Sequence, residues 1–92
     1  MVIALVTEEK KINAAIAEEF RVLKGRRHWD NKQILALFRR KGLPIKPDRL
    51  SRVLHGKARL TAAELVMLEN EGLSLDSVRD LFQKKATHQG GS

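Results

Sequence analysis

The sequence predicts an all-α fold, five short helices in one small domain. Three observations lead there. The chain has 92 residues and no cysteine, so a single core must be held by apolar burial, without disulfides or thiolate-bound zinc. Only four residues are aromatic (Phe20, Trp29, Phe38 and Phe82) and none is tyrosine, which is poor material for a β-sandwich. The apolar residues recur at three- and four-residue spacings, in blocks punctuated by Gly25, Gly42, Gly56 and Gly72.

Between Lys10 and Lys24, residues Ile12, Ile16, Phe20 and Leu23 form one stripe of a first helix. Thr7 followed by Glu8 and Glu9 is its expected cap, and Gly25 its expected stop. A second helix is expected from Asn31 to about Arg40, opened by a capping box of Asp30 and Gln33 with Trp29 stapled onto Ile34. Its inward stripe is Ile34, Leu35 and Phe38, with Leu37 flanking. Pro44 and Pro47 keep Leu43 to Lys46 out of the helical region, and Pro47 suits the first position of a third helix that Gly56 stops. Thr61 and Glu64 form a second capping box ahead of a fourth helix that Gly72 ends. Ser74 is the expected cap of a fifth, whose apolar face is Leu75, Val78, Leu81 and Phe82, with Lys84 and Lys85 near its negative end.

These elements divide the chain into an apolar segment at residues 1–7, a helical domain at residues 8–85 and a small polar tail at residues 86–92, expected to be flexible. The run Met1 to Val6 is far short of the ~20 apolar residues that span a bilayer and lacks a basic flank, so neither export nor a membrane location is expected. The expected compartment is the cytoplasm, at the nucleoid.

The formal net charge is +7, and it is unevenly placed. From Arg21 to Arg59 there are thirteen Lys or Arg against two acids, Asp30 and Asp48, whereas the segments on either side are each net acidic. A basic middle between acidic flanks is the pattern of a folded body with one cationic face, suited to an acidic partner such as nucleic acid. On the third helix, Leu50, Val53 and Leu54 share one arc, and Asp48, Arg52 and His55 the opposite one, flanked by Arg49 and Ser51. In a major groove, an arginine can pair two donors with guanine, and an aspartate can accept from the cytosine amino group.

Asn31 to Leu73 resembles the lambda-repressor-like helix-turn-helix family, the Cro and Xre type of transcriptional regulators. The resemblance is carried by Ile34-Leu35-Ala36, by Gly42-Leu43 and by Leu50-Ser51-Arg52-Val53-Leu54-His55-Gly56-Lys57. Thr61-Ala62-Ala63-Glu64-Leu65 and Glu71-Gly72-Leu73-Ser74 look like the family's fourth helix and its exit. It covers about half the chain, and the stretch from Gly42 to Leu50 is about two residues longer than the family's tight turn, as in some phage and actinobacterial regulators. The resemblance implies a compact five-helix domain binding double-stranded DNA as a homodimer, a phage or mobile-element repressor. It assigns base reading to Asp48, Arg49, Arg52 and Lys46, and phosphate contacts to Asn31, Lys32, Gln33, Ser51, His55, Lys57 and Arg59. Dimerisation is expected through Leu75, Val78, Leu81 and Phe82, with Met1 to Val6 as a second seam, able to pair with its own copy as a short strand.

Catalysis is not expected. His28, His55 and His88 are isolated, so neither a metal site nor another cofactor is indicated, and the glycines are too far apart for a phosphate-binding loop. Ser51 and His55 lie one turn apart, but nothing in the sequence supplies an oxyanion hole beside them. No small-molecule ligand is evident. The competing expectation is a protein-interaction module of the same fold, an antitoxin or adaptor docking through Met1 to Val6 or the fifth helix.

Overall fold

The computed structural model describes the backbone of residues 2–79 and the side chains from residue 9 to residue 79. Four helices follow one another: α1 (Val2–Arg27), α2 (Asn31–Arg40), α3 (Pro47–Leu54) and α4 (Ala62–Asn70). Residues 76–79 begin a fifth, and among the described residues there is no strand.

α1 is longer than the sequence suggests at both ends. Thr7 lies within the helix and cannot be its cap, and residues 2–7 are its first turns, not a separate segment or a strand. Val, Ile, Ala and Leu contain neither a proline nor a side chain that competes for backbone hydrogen bonds, so a helix already nucleated by the downstream stripe runs back through them. Gly25 lies inside the helix as well, where a glycine costs only about 1 kcal/mol. The helix stops at His28, which takes a left-handed φ of 57°. There the Trp29 N–H donates to the Lys24 carbonyl at 3.0 Å and the His28 N–H to the Gly25 carbonyl at 3.2 Å, a Schellman closure. Trp29 is half-buried against the core, with the Arg27 guanidinium 5.8 Å from its ring centroid. The residue that packs inward, and not the nearest glycine, decides where α1 ends.

The three shorter helices end by the same closure at their expected glycines. Leu43 N–H donates to Phe38, Lys57 N–H to Arg52 and Leu73 N–H to Leu68, at 2.9, 2.8 and 2.9 Å. Both expected capping boxes are present, Asp30 with Gln33 and Thr61 with Glu64, and Pro47 opens α3.

α3 packs against both α1 and α2. The core gathers Ile16, Phe20 and Leu23 of α1, Ile34, Leu37 and Phe38 of α2, Leu50, Val53 and Leu54 of α3, and Met67 and Leu68 of α4. Phe20 and Phe38 meet at a centroid distance of 6.4 Å. In α2 the buried flank is Leu37, whereas Leu35 is only partly covered, the reverse of the expected stripe. The α2–α3 connection is anchored by Ile45, which is buried among the core residues. α1 also secures other helices' ends: Arg21 donates to the Leu54 carbonyl and Arg27 to the Glu71 carbonyl, each a cation at the negative end of a helix.

At the start of the fifth helix Val78 is buried and Leu75 packs against the same core. Val78 thus belongs to the interior, while Leu75 is only partly covered by it. Ser74 Oγ lies 3.5 Å from the Asp76 N–H, at the limit for a cap; firmer ties are Ser77 Oγ–H to Glu19 at 3.2 Å and Arg79 to Glu69 at 3.1 Å. Leu81, Phe82, Lys84, Lys85 and the tail lie outside the described residues.

Candidate nucleic-acid interface

The sharp amphipathicity of α3 makes the site. Leu50, Val53 and Leu54 are buried, while Lys46, Asp48, Ser51, Arg52 and His55 are exposed. Because Pro47 supplies the first-turn φ and lacks an N–H, the helix opens cleanly after the extended Lys46 and presents Asp48 within its first turn. Asp48, Ser51, Arg52 and His55 then recur at the three- and four-residue spacing of a single face. That face offers one carboxylate, one hydroxyl, one imidazole and one guanidinium, a mixture of donors and acceptors matched to base edges more than to a uniform row of phosphates. The His55 ring donates from Nδ1 to the Ser51 carbonyl at 2.7 Å, so one of its two nitrogens is already engaged by the backbone of the helix.

The loop after α3 carries Lys57 and Arg59, both exposed. Gly56 lays this loop directly on α1: a β-carbon at that position would stand 3.2 Å from the Ala14 Cα. Arg59 also lies 3.8 Å from Glu9 of α1, a pair with both partners about half exposed and thus easily exchanged for another anion. Asn31 and Lys32 are exposed at the start of α2. Gln33, expected among the phosphate contacts, already uses its side-chain carbonyl to accept from the Asp30 N–H at 2.8 Å, leaving only its amide NH2 to donate outward.

Arg49, expected among the base readers, is turned inward. Its guanidinium donates from Nη1 and Nη2 to the two carboxylate oxygens of Glu64, 2.7 Å each, and from Nη2 to the Arg59 carbonyl at 2.9 Å. Glu64 is buried, and besides Arg49 its carboxylate accepts the Thr61 N–H at 2.7 Å. Burial alone pushes the Glu64 carboxyl up, but its hydrogen bonds from Arg49 and Thr61 outweigh this and hold it below the usual value. The same hydrogen bond raises the Arg49 guanidinium.

The sequence marks Glu64 as a cap but carries no sign of its second task, since a capping carboxylate is ordinarily solvated. Arg21 and Arg27, also counted in the basic middle, each give one donor to a carbonyl of the fold while staying exposed, and Arg49 gives three. Lys41 pairs with Glu71 at 3.7 Å. The exposed cations on and beside α2 and α3 are Lys32, Arg39, Arg40, Lys41, Lys46, Arg52, Lys57 and Arg59.

Compared with protein-family models, curated proteins and solved structures, the chain matches none of them. No helix among the described residues is long and apolar enough to cross a membrane.

Proposed function

We propose that this chain is a sequence-specific, double-stranded-DNA-binding regulator of transcription of the lambda-repressor-like helix-turn-helix kind, a repressor of phage or mobile-element origin. In this reading α3 enters the major groove while Asn31, Lys32, Lys57 and Arg59 hold phosphates on either side. The observation that carries it is the exposed arc of α3, where Asp48, Ser51, Arg52 and His55 stand together beside the two loop cations. A regulator of this kind works by occupancy alone. One helix of 8 residues reads few base pairs, so useful specificity calls for two copies on half-sites about one helical turn apart.

Selecting duplexes from a random pool tests the reading. It should enrich a site with two half-sites, and Arg52→Ala should then lose about 1 to 3 kcal/mol of binding to that site but not to random DNA. A pool without an enriched sequence refutes the reading.

A second reading, a protein-docking module, is favoured by one observation: the apolar sequence Val2 to Val6 forms the first turns of α1. Salt distinguishes the two, because binding through several phosphates weakens steeply with salt whereas an apolar interface is nearly indifferent.

A further inference from the structure

The Arg49–Glu64 pair is an odd investment for a domain this small. Its guanidinium fork donates to both oxygens of a buried carboxylate, and ion pairs of this sort are often no more stabilising than apolar residues of the same volume. What such a pair supplies is direction, since a planar bidentate contact tolerates little rotation about either helix. Here it ties together three points of the chain. Arg49 sits in the first turns of α3, its third hydrogen bond takes the Arg59 carbonyl near the end of the loop, and Glu64 is bonded in turn to Thr61 at the start of α4. Everything between those points is the segment that carries Lys57 and Arg59. Its near end is held separately, by Gly56 against Ala14 and by the Lys57 N–H on the Arg52 carbonyl at 2.8 Å. The loop is therefore pinned at both ends, and the outer pin originates on the reading helix itself.

We propose that the Arg49–Glu64 pair is a positioning clamp, which holds the reading face of α3 in fixed register with the phosphate-gripping cations Lys57 and Arg59. This rests on the DNA-binding reading above. The clamp touches no base. It sets the distance and angle at which Asp48 and Arg52 arrive at their base edges once the loop has seated on the backbone, so its loss degrades every α3 contact together.

Two variants keep the net charge of the wild type and so leave long-range attraction to DNA unaltered. Arg49→Lys retains the cation but loses the fork. Arg49→Met combined with Glu64→Gln removes both charges, while a glutamine still serves the capping box with Thr61. Affinities for the selected site and for a random duplex are measured at one salt concentration, below the unfolding midpoint of each variant, and each variant is also put through selection from the random pool. The clamp requires the ratio of specific to random affinity to fall about ten-fold or more in both variants, equivalent to losing one base contact, with random-duplex affinity unchanged within about two-fold. Selection should then show weakened preference at all the positions α3 reads. An unchanged ratio in both variants overturns the clamp, and so does a preference lost at a single position, which would make Arg49 a direct reader that leaves Glu64 on binding. If the wild type itself enriches no site, the DNA-binding reading fails and the clamp with it.

Discussion

Replacing Gly56 by alanine tests how the loop after α3 is seated, and Gly42→Ala is its control. Both glycines hold nearly the same left-handed backbone, φ 74° and 76°, and both close a helix in the same way. They differ in surroundings: a β-carbon at Gly42 meets nothing within 4 Å, whereas at Gly56 it stands 3.2 Å from the Ala14 Cα and 3.6 Å from the Ala14 nitrogen. The backbone penalty common to both is about 1 to 2 kcal/mol, offset by about 0.4 to 1 kcal/mol because alanine restricts the unfolded chain. Gly42→Ala should therefore cost about 1 kcal/mol. At Gly56 the obstacle is main chain of α1, which has no rotamer to change, so the helix must move away from α3 at the further ~1 to 3 kcal/mol typical of overpacking. Gly56→Ala should thus cost about 2 to 4 kcal/mol, lowering the midpoint by roughly 10 to 25 °C against roughly 5 °C for the control. Thermal unfolding followed by far-ultraviolet circular dichroism measures both. Equal losses in the two variants would show that α1 does not rest on Gly56.

Lys57→Ala and Arg59→Ala should weaken binding to all duplexes alike, each reducing the slope of log affinity against log salt by roughly one; unchanged slopes in both would remove the loop from the interface. Val78→Ala should cost about 2 kcal/mol of stability without altering the sedimentation of the protein, whereas a changed oligomeric state at unchanged stability would restore the fifth helix as a dimer face. Glu64 gives a pH dependence of definite sign. Its folded value is depressed, so its contribution is fully present above the unfolded glutamate value of about 4.3 and fades as pH falls through the lower folded value. Urea midpoints of the wild type should hence drop more steeply below about pH 4 than those of Glu64→Gln, and parallel curves would contradict the shift.

Much of the fold is legible along the chain. Asp30 with Gln33 and Thr61 with Glu64 announce helix starts because both partners lie within one turn, and Gly42, Gly56 and Gly72 announce stops because the left-handed residue is needed at that very place. The same logic misleads at α1. Gly25 has the composition of a stop, but the chain turns at His28, where Trp29 comes to lie against the core. Leu75 and Val78 illustrate the limit for faces: periodicity shows that a helix has an apolar side and is silent on whether that side covers its own core or a second copy.

The sequence by itself determined the capping boxes and glycine stops of the short helices, which depend on residues about a turn apart, and the arc of α3 and the position of the basic middle, which follow from order along the chain. Only the tertiary structure decided which of the basic residues face outward. At 100° per residue Arg52 falls within the outer arc of α3 and Arg49 at its edge, but spacing alone does not show that Arg49 turns to a partner elsewhere in the chain. The difference lies 15 residues further on, in where the start of α4 comes to rest. Once the buried carboxylate of Glu64 is set beside α3, Arg49 is drawn to it by charge and by fork geometry, and Arg52 is left facing the solvent.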